Sequence, residues 1–178
     1  MTVGLQPFIS DAVMALHAPT QAWSGRYGDL GAQTIDGFYH GDTRFVRCVD
    51  LSYSGADDEQ FAAAEWISTS QVSASVVEFD ALLRAVDDHW PDPKVRLTRR
   101  RHVTNGLVTE TLTVTSHLGA PLHLRLRQRV TPDFAPLQEV KAGTVGPRQW
   151  NATASSGTAS SGTASSGQSV TAQWESSA

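Results

Sequence analysis

The tightest constraint in this sequence is a turn. Asn105-Gly106 interrupts a stretch from Val95 to Val130 in which apolar and polar residues alternate. Alternation with a period of two marks strands with one buried face, and Asn-Gly between apolar and β-branched residues is the strongest short-range hairpin signal, because both central residues of a type I′ turn need positive φ. A two-residue loop then fixes the register. Val103 faces Val108, Arg101 faces Glu110 and Arg99 faces Leu112, all on one side of the sheet.

That register divides the triple Arg99-Arg100-Arg101. Strand neighbours point to opposite faces, so Arg100 parts from the other two and Arg101 gains Glu110 as a structural partner. The expectation is a paired, solvated sheet face rather than a nucleic-acid patch. The run Leu122–Val130 alternates more strictly: Leu122, Leu124, Leu126 and Val130 form the buried face, and His123, Arg125, Arg127 and Arg129 form a cationic outer stripe.

Charge is segregated along the chain. Asp50 to Asp92 carries ten acidic residues against Arg84 alone, and Lys94 to Val130 carries eight basic residues against Glu110 alone. Such blocks either face each other within the fold or face a partner. A same-sign row on an exposed strand repels itself, which favours a partner for Arg125, Arg127 and Arg129.

Upstream lies a turn at His40-Gly41-Asp42, followed by Thr43 to Tyr53 with Phe45, Arg47, Val49, Leu51 and Tyr53 on one face. Gln60 to Ile67 and Val72 to Phe79 read as further strands, and Asp80 to His89 as a short helix or loop. Short strands separated by turn signals point to a mainly β protein, an antiparallel β-sandwich.

A net charge of −4 argues against a general nucleic-acid binder. The single cysteine, Cys48, permits no internal disulfide and no cysteine-rich metal site, and its apolar neighbours imply a buried, inert thiol. Ala12 to Leu16 is far too short to span a membrane, and no basic segment and apolar run mark a secretory signal, so a cytoplasmic protein with no membrane partner is expected. From Asn151 the composition turns to Ser, Ala, Thr and Gly, with three copies of Thr-Ala-Ser-Ser-Gly over Thr153–Gly167. Residues 1–150 are therefore read as one domain and 151–178 as a disordered low-complexity tail, because so polar a repeat has no apolar face to bury. Within the tail, Ser169 to Trp174 has the pattern of a strand without neighbours.

No catalytic, metal-binding or cofactor motif is present. The six histidines never adopt the spacing of a helical zinc pair, and the phosphate-loop, dinucleotide and nucleophile-elbow patterns are missing. His40 and Asp42 flank Gly41 in a way that suits a metal or acid–base pair, but turn chemistry accounts for Gly41 and Asp42 equally well. Glycosidase chemistry needs two carboxylates across a scissile bond, and sequence alone cannot pair Asp29, Asp42, Glu110 and Asp133. Glu110, facing Arg101, stays ionised and is unsuited to act as the acid. Trp23 and Trp66 are candidates for stacking on sugars, against the alternative of packing in the core.

Taken in order, Ala18-Pro19-Thr20-Gln21-Ala22-Trp23-Ser24, Gly37-Phe38-Tyr39-His40-Gly41-Asp42-Thr43-Arg44, Arg99-Arg100-Arg101 with Gly106 and Glu110-Thr111-Leu112, then Asp133-Phe134-Ala135-Pro136-Leu137 and Glu139-Val140-Lys141 form a pattern. It resembles the N-terminal domain of bacterial glycogen-debranching-type enzymes, the amylo-α-1,6-glucosidase-like proteins, most closely the actinobacterial form, from about Gln6 to about Arg148. The resemblance implies a supersandwich-like β domain packed on a separate (α/α)6 barrel, in cis or in trans, which supplies the catalytic carboxylates. It implies no catalytic residue and no cofactor in this chain, which stops in the tail where the barrel would follow. The implied role is accessory: supporting the barrel and shaping its glucan cleft, with the turn at Tyr39, His40, Asp42 and Arg44 as the contact. The alternatives are a stand-alone module that binds α-glucan oligosaccharides through Trp23 and Trp66, and a small hydrolase using His40 and Asp42.

Overall fold

In the computed structural model, residues 11–88 and 90–147 and the strand 169–171 are described. The strands in chain order are β1 (Val13–His17), β2 (Thr20–Ser24), β3 (Gly37–His40), β4 (Thr43–Gly55), β5 (Ala62–Ala63), β6 (Glu65–Ser73), β7 (Val76–Leu82), β8 (Val95–Thr104), β9 (Leu107–Ser116), β10 (Leu124–Pro136) and β11 (Ser169–Thr171). A 3-10 turn at Arg84–Val86 and one short helix, α1 (Leu137–Ala142), complete the elements. They form two antiparallel sheets. The first runs β1-β2-β3-β4-β10 with β5 also on β4, and the second runs β11-β9-β8-β7-β6.

The predicted β8–β9 register is the one observed, with Val103 opposite Val108, Arg101 opposite Glu110 and Arg99 opposite Leu112. The turn itself differs from the expected type I′. Only Gly106 has positive φ, at 75°, which is the pattern of a type II turn. The Gly106 N–H donates to Thr20 Oγ1 at 2.7 Å, so the tip is tied to β2 in the opposite sheet.

The core lies between the sheets and has two apolar parts. Leu51 and Tyr53 of β4 meet Ala81, Leu83, Val95, Leu97 and Leu112, while Ala15 and Ala22 meet Val77, Phe79 and Val103. Both parts touch the inner face of β8, where Arg99 and Arg101 sit between Leu97 and Val103. These two arginines are 0% and 1% exposed, which corrects the expectation of a solvated face. Alternation identifies which residues share a face, but the second sheet decides which face is covered.

Three further expectations shift. Arg47 does not share the core face of Val49, Leu51 and Tyr53: the β4–β10 ladder passes from Thr131↔Cys48 to Pro132↔Val46, so Arg47 is the extra residue of a bulge and is exposed. The strand expected at Val72–Phe79 is split by a turn at Ala74-Ser75, giving β6 and β7, and the region after Asp80 contains the short 3-10 turn. Ser169–Thr171 is a strand with a neighbour after all, pairing with Thr111–Thr113 of β9. The rest of the Ser/Ala/Thr/Gly segment and the boundary at 150 lie outside the described residues. No helix among the described residues is long and apolar enough to cross a membrane.

Candidate functional site

The β3–β4 hairpin carries four of the residues singled out in the sequence. Gly41-Asp42 forms its two-residue loop, with Gly41 at φ 55°, and Tyr39 pairs with Arg44 across the ladder. Phe38 faces the second sheet, so Tyr39 and Arg44 point the other way, where the segment 31–36 covers them. The Tyr39 O–H donates to the Ile35 carbonyl at 2.7 Å, and burial raises its pKa. Arg44 is buried and fully engaged. Its Nη1 donates to the Thr34 and Asp36 carbonyls at 2.7 and 3.2 Å, and its Nε and Nη2 clasp the Asp133 carboxylate, the shorter contact being 2.6 Å.

Asp133 reaches Arg44 because β10 bulges. Asp133 and Phe134 together oppose only Phe45, and Phe134 takes a positive φ of 47°. Its ring packs edge-on against Phe45 at 5.6 Å. The Arg44 stem also needs room on its other side. A Cβ at Gly37 would fall 2.4 Å from Arg44 Cδ and 2.7 Å from the Val46 carbonyl, so a glycine is required there. Burial works against the charge of Arg44, but Asp133 more than offsets it and raises the guanidinium pKa.

His40 and Asp42 behave differently from their neighbours. His40 is half-buried, with Nδ1 2.9 Å from Thr20 Oγ1, and thus joins the β3–β4 tip to the hydroxyl that also holds the β8–β9 turn. Asp42 is exposed. Its carbonyl accepts the Leu137 N–H at 2.7 Å where α1 begins, beside a shallow depression with Pro136, Gln138 and Lys141. His40 and Asp42 are therefore the members of the group that a partner can reach, whereas Tyr39 and Arg44 shape the hairpin from beneath.

The other constellation lies in the core. Glu110 accepts hydrogen bonds from Arg99 Nε and Nη2 at 3.1 and 2.9 Å, from Arg101 Nε and Nη2 at 2.8 and 2.5 Å, and from Gln128 Nε2. Arg99 Nη1 also binds Asp29 at 2.6 Å, and Arg101 Nη2 binds the Gly28 carbonyl at 2.5 Å. The Arg101 guanidinium stands over the rings of Phe38 and Phe79, at 5.1 and 5.4 Å from their centroids. Burial alone would raise the Glu110 pKa, but the two guanidiniums outweigh it and lower the value from 4.5 to about 2. Asp29 moves upward, because burial outweighs its contact with Arg99. The pairing expected between Arg101 and Glu110 is thus half of a larger cluster, in which Arg99 has the same partner.

Trp66 packs edge-on against Phe79 and borders both apolar parts of the core. Trp23 is half-buried on the uncovered side of the first sheet, opposite Met14, with its Nε1–H donated to Gln21 Oε1 at 2.8 Å. A cavity of about 420 Å³ opens among Gly31, Thr34, Arg44, Arg47, Cys48 and Thr131. Cys48 lines it and is half-buried, not fully enclosed as expected. Among the described residues, no group of three or more His, Cys, Asp or Glu side chains is arranged to hold a metal.

Sequence reasoning missed Asp29, Asp36 and Gln128 as structural partners and left Asp133 unpaired. Asp36 Oδ2 accepts the Gly31 and Gln33 N–H groups at 3.1 and 2.9 Å, building the loop over Arg44, and burial raises its pKa. An acidic residue three after Gln33 in a Gly-containing loop was the available signal.

Compared with known proteins, residues 16–177 match the profile described as the N-terminal domain of (some) glycogen debranching enzymes. No curated protein and no solved structure matches the chain significantly.

Proposed function

The chain belongs to the family of N-terminal domains found in glycogen debranching enzymes, and from that membership we propose that it is a non-catalytic accessory sandwich supporting an (α/α)6 glycosidase barrel. The observation that carries this reading is how Glu110 and Asp133, two of the four carboxylates weighed for glycosidase chemistry, are used. Glu110 lies between Arg99 and Arg101, and Asp133 is clasped by Arg44. A general acid must hold a proton at working pH, and a carboxyl with a pKa of about 2 holds none. Both groups build the scaffold, and the chemistry belongs to the barrel. The accessible part of the family-like turn, His40 and Asp42, would meet that barrel at the rim of its cleft, in the same compartment, the cytoplasm.

Co-expression tests this directly. The chain and a barrel polypeptide from the same family, produced together, should co-purify and release glucose from α-1,6-branched glucan, while neither is active alone. A barrel that is fully active without the chain, or a mixture that stays inert, would reject the reading. Trp23, on the uncovered side of the first sheet, favours a second reading as an α-glucan-binding module. Trp66, half-buried with its ring edge-on to Phe79 and packed against both parts of the core, does not contribute to that one.

A further inference from the structure

The charge blocks in the sequence are only partly resolved within the fold. Lys94 finds Asp88, Arg100 finds Glu78, Arg84 finds Glu65, and Arg99 and Arg101 share Glu110. Arg125, Arg127 and Arg129 on β10 have no carboxylate within ion-pair distance among the described residues. Two of them are nevertheless held in place. Arg125 Nε and Arg127 Nε donate to Ser54 Oγ and Ser52 Oγ at 3.2 Å each, and the Phe61 ring packs against both guanidiniums, 3.8 Å from that of Arg127. Asp50 stands opposite Arg129 in the ladder, but Arg125 and Arg127 face Ser54 and Ser52, and ordering like charges side by side with no ion-pair partner costs free energy unless something anionic completes the site.

β10 is also an edge. It is 13 residues long and pairs with β4 on one flank, and no described strand pairs with its other flank. The inner face records the same asymmetry. Val49, Leu51 and Tyr53 on β4 are buried, while Val130, Gln128 and Leu126 directly opposite remain half-buried. Long edges with unpaired N–H and C=O groups are templates for another strand.

We propose that the free edge of β10 is a strand-addition site for an extended protein segment that alternates acidic and apolar residues. Pairing supplies the backbone hydrogen bonds. Side chains on an added strand recur on one face every second residue, about 6.6–6.8 Å apart, the same repeat as Arg125, Arg127 and Arg129. Carboxylates at alternate positions then stand beside the three guanidiniums, and the apolar residues between them cover Leu124, Leu126 and Val130. A polyphosphate chain fits less well, because it offers nothing to the apolar side chains Leu124, Leu126 and Val130 on the inner face. The site does not depend on the barrel, since any chain with this pattern would fit it.

The test is fluorescence anisotropy with the full chain and three labelled nine-residue peptides: alternating Glu and Val, alternating Lys and Val, and a scrambled Glu/Val sequence. A labelled single-stranded oligonucleotide of equal length serves as the nucleic-acid arm. The alternating acidic peptide should bind at least about tenfold more tightly than the others, and the preference should weaken as salt is raised from about 50 to 500 mM. Arg127→Glu/Arg129→Glu should lose that binding and gain affinity for the Lys peptide. Because Arg127 also touches Ser52 and Phe61, and Arg129→Glu would set a carboxylate directly opposite Asp50, Arg129→Ala alone, with an unchanged urea midpoint, provides the variant free of folding effects and should weaken binding of the acidic peptide. Equal binding of scrambled and alternating peptides, preference for the oligonucleotide, or no peptide binding overturns the proposal.

Discussion

Arg44 and Asp133 lie 89 residues apart in sequence and meet as a buried two-point ion pair, with Nε and Nη2 on one carboxylate. The pair joins the β3–β4 hairpin to the bulge of β10, and its remaining donor fastens the 31–36 loop through the Thr34 and Asp36 carbonyls. One side chain therefore fixes three segments. That is why the outer side of the first sheet is covered at this point but open around Trp23.

Removing either partner leaves a buried charge unpaired. Arg44→Ala and Asp133→Ala should each lower the unfolding free energy by about 3–5 kcal/mol, and the double variant should cost less than the sum. Arg44→Lys should not restore stability, because an ammonium cannot span both carboxylate contacts and both carbonyls. Urea denaturation of the wild type and these four variants checks this. Additive losses in the double variant would contradict the coupling.

Gly37→Ala probes the same pair from beneath. The added methyl would stand 2.4 Å from Arg44 Cδ and 2.7 Å from the Val46 carbonyl, and backbone cannot yield as a side-chain end can. A loss of about 1–3 kcal/mol is expected, typical of overpacking. Gly119→Ala, where nothing lies within 4 Å of the new methyl, is the control and should leave the urea midpoint nearly unchanged.

What the sequence revealed, and what it hid, follows from range. The β8–β9 register was legible because Asn105-Gly106 and the flanking alternation are local. The burial of Arg99 and Arg101 was not, because Asp29 lies 70 residues from Arg99 and the covering sheet is assembled from both ends of the chain. The Arg47 bulge was hidden for a related reason. A residue inserted in one strand is defined by the partner ladder, and β10 lies far downstream of β4. The family pattern pointed to the family that the chain matches, but not to Tyr39 and Arg44 turning away from solvent while Asp42 is exposed and His40 half-buried.

The Glu110 cluster should set an acid limit on stability. Its folded pKa of about 2 lies below the ordinary 4.5, so the carboxylate contributes its full stabilisation above about pH 4.5 and loses it as pH falls toward 2. A shift of that size corresponds to a contribution on the order of 2–4 kcal/mol. Asp29, whose pKa is raised, acts in the opposite sense and softens the acid loss. Urea unfolding at a series of pH values between 6 and 2 should show the wild type losing stability faster than Glu110→Gln. Parallel curves would mean that Glu110 titrates normally in the fold.

The two tryptophans separate glucan contact from core packing. Trp23→Ala removes a half-exposed indole opposite Met14 and should leave the melting temperature nearly unchanged, whereas Trp66→Ala opens space beside Phe79 and should destabilise the sandwich by about 3–5 kcal/mol. If the chain holds α-glucan, its migration in a native gel containing glycogen should be retarded, and Trp23→Ala should abolish the retardation. Wild-type mobility unaffected by glycogen would eliminate the binding-module reading and leave the accessory role. Retardation that survives Trp23→Ala would place the sugar contact elsewhere, with the 420 Å³ cavity at Arg47 and Cys48 as the next surface to alter.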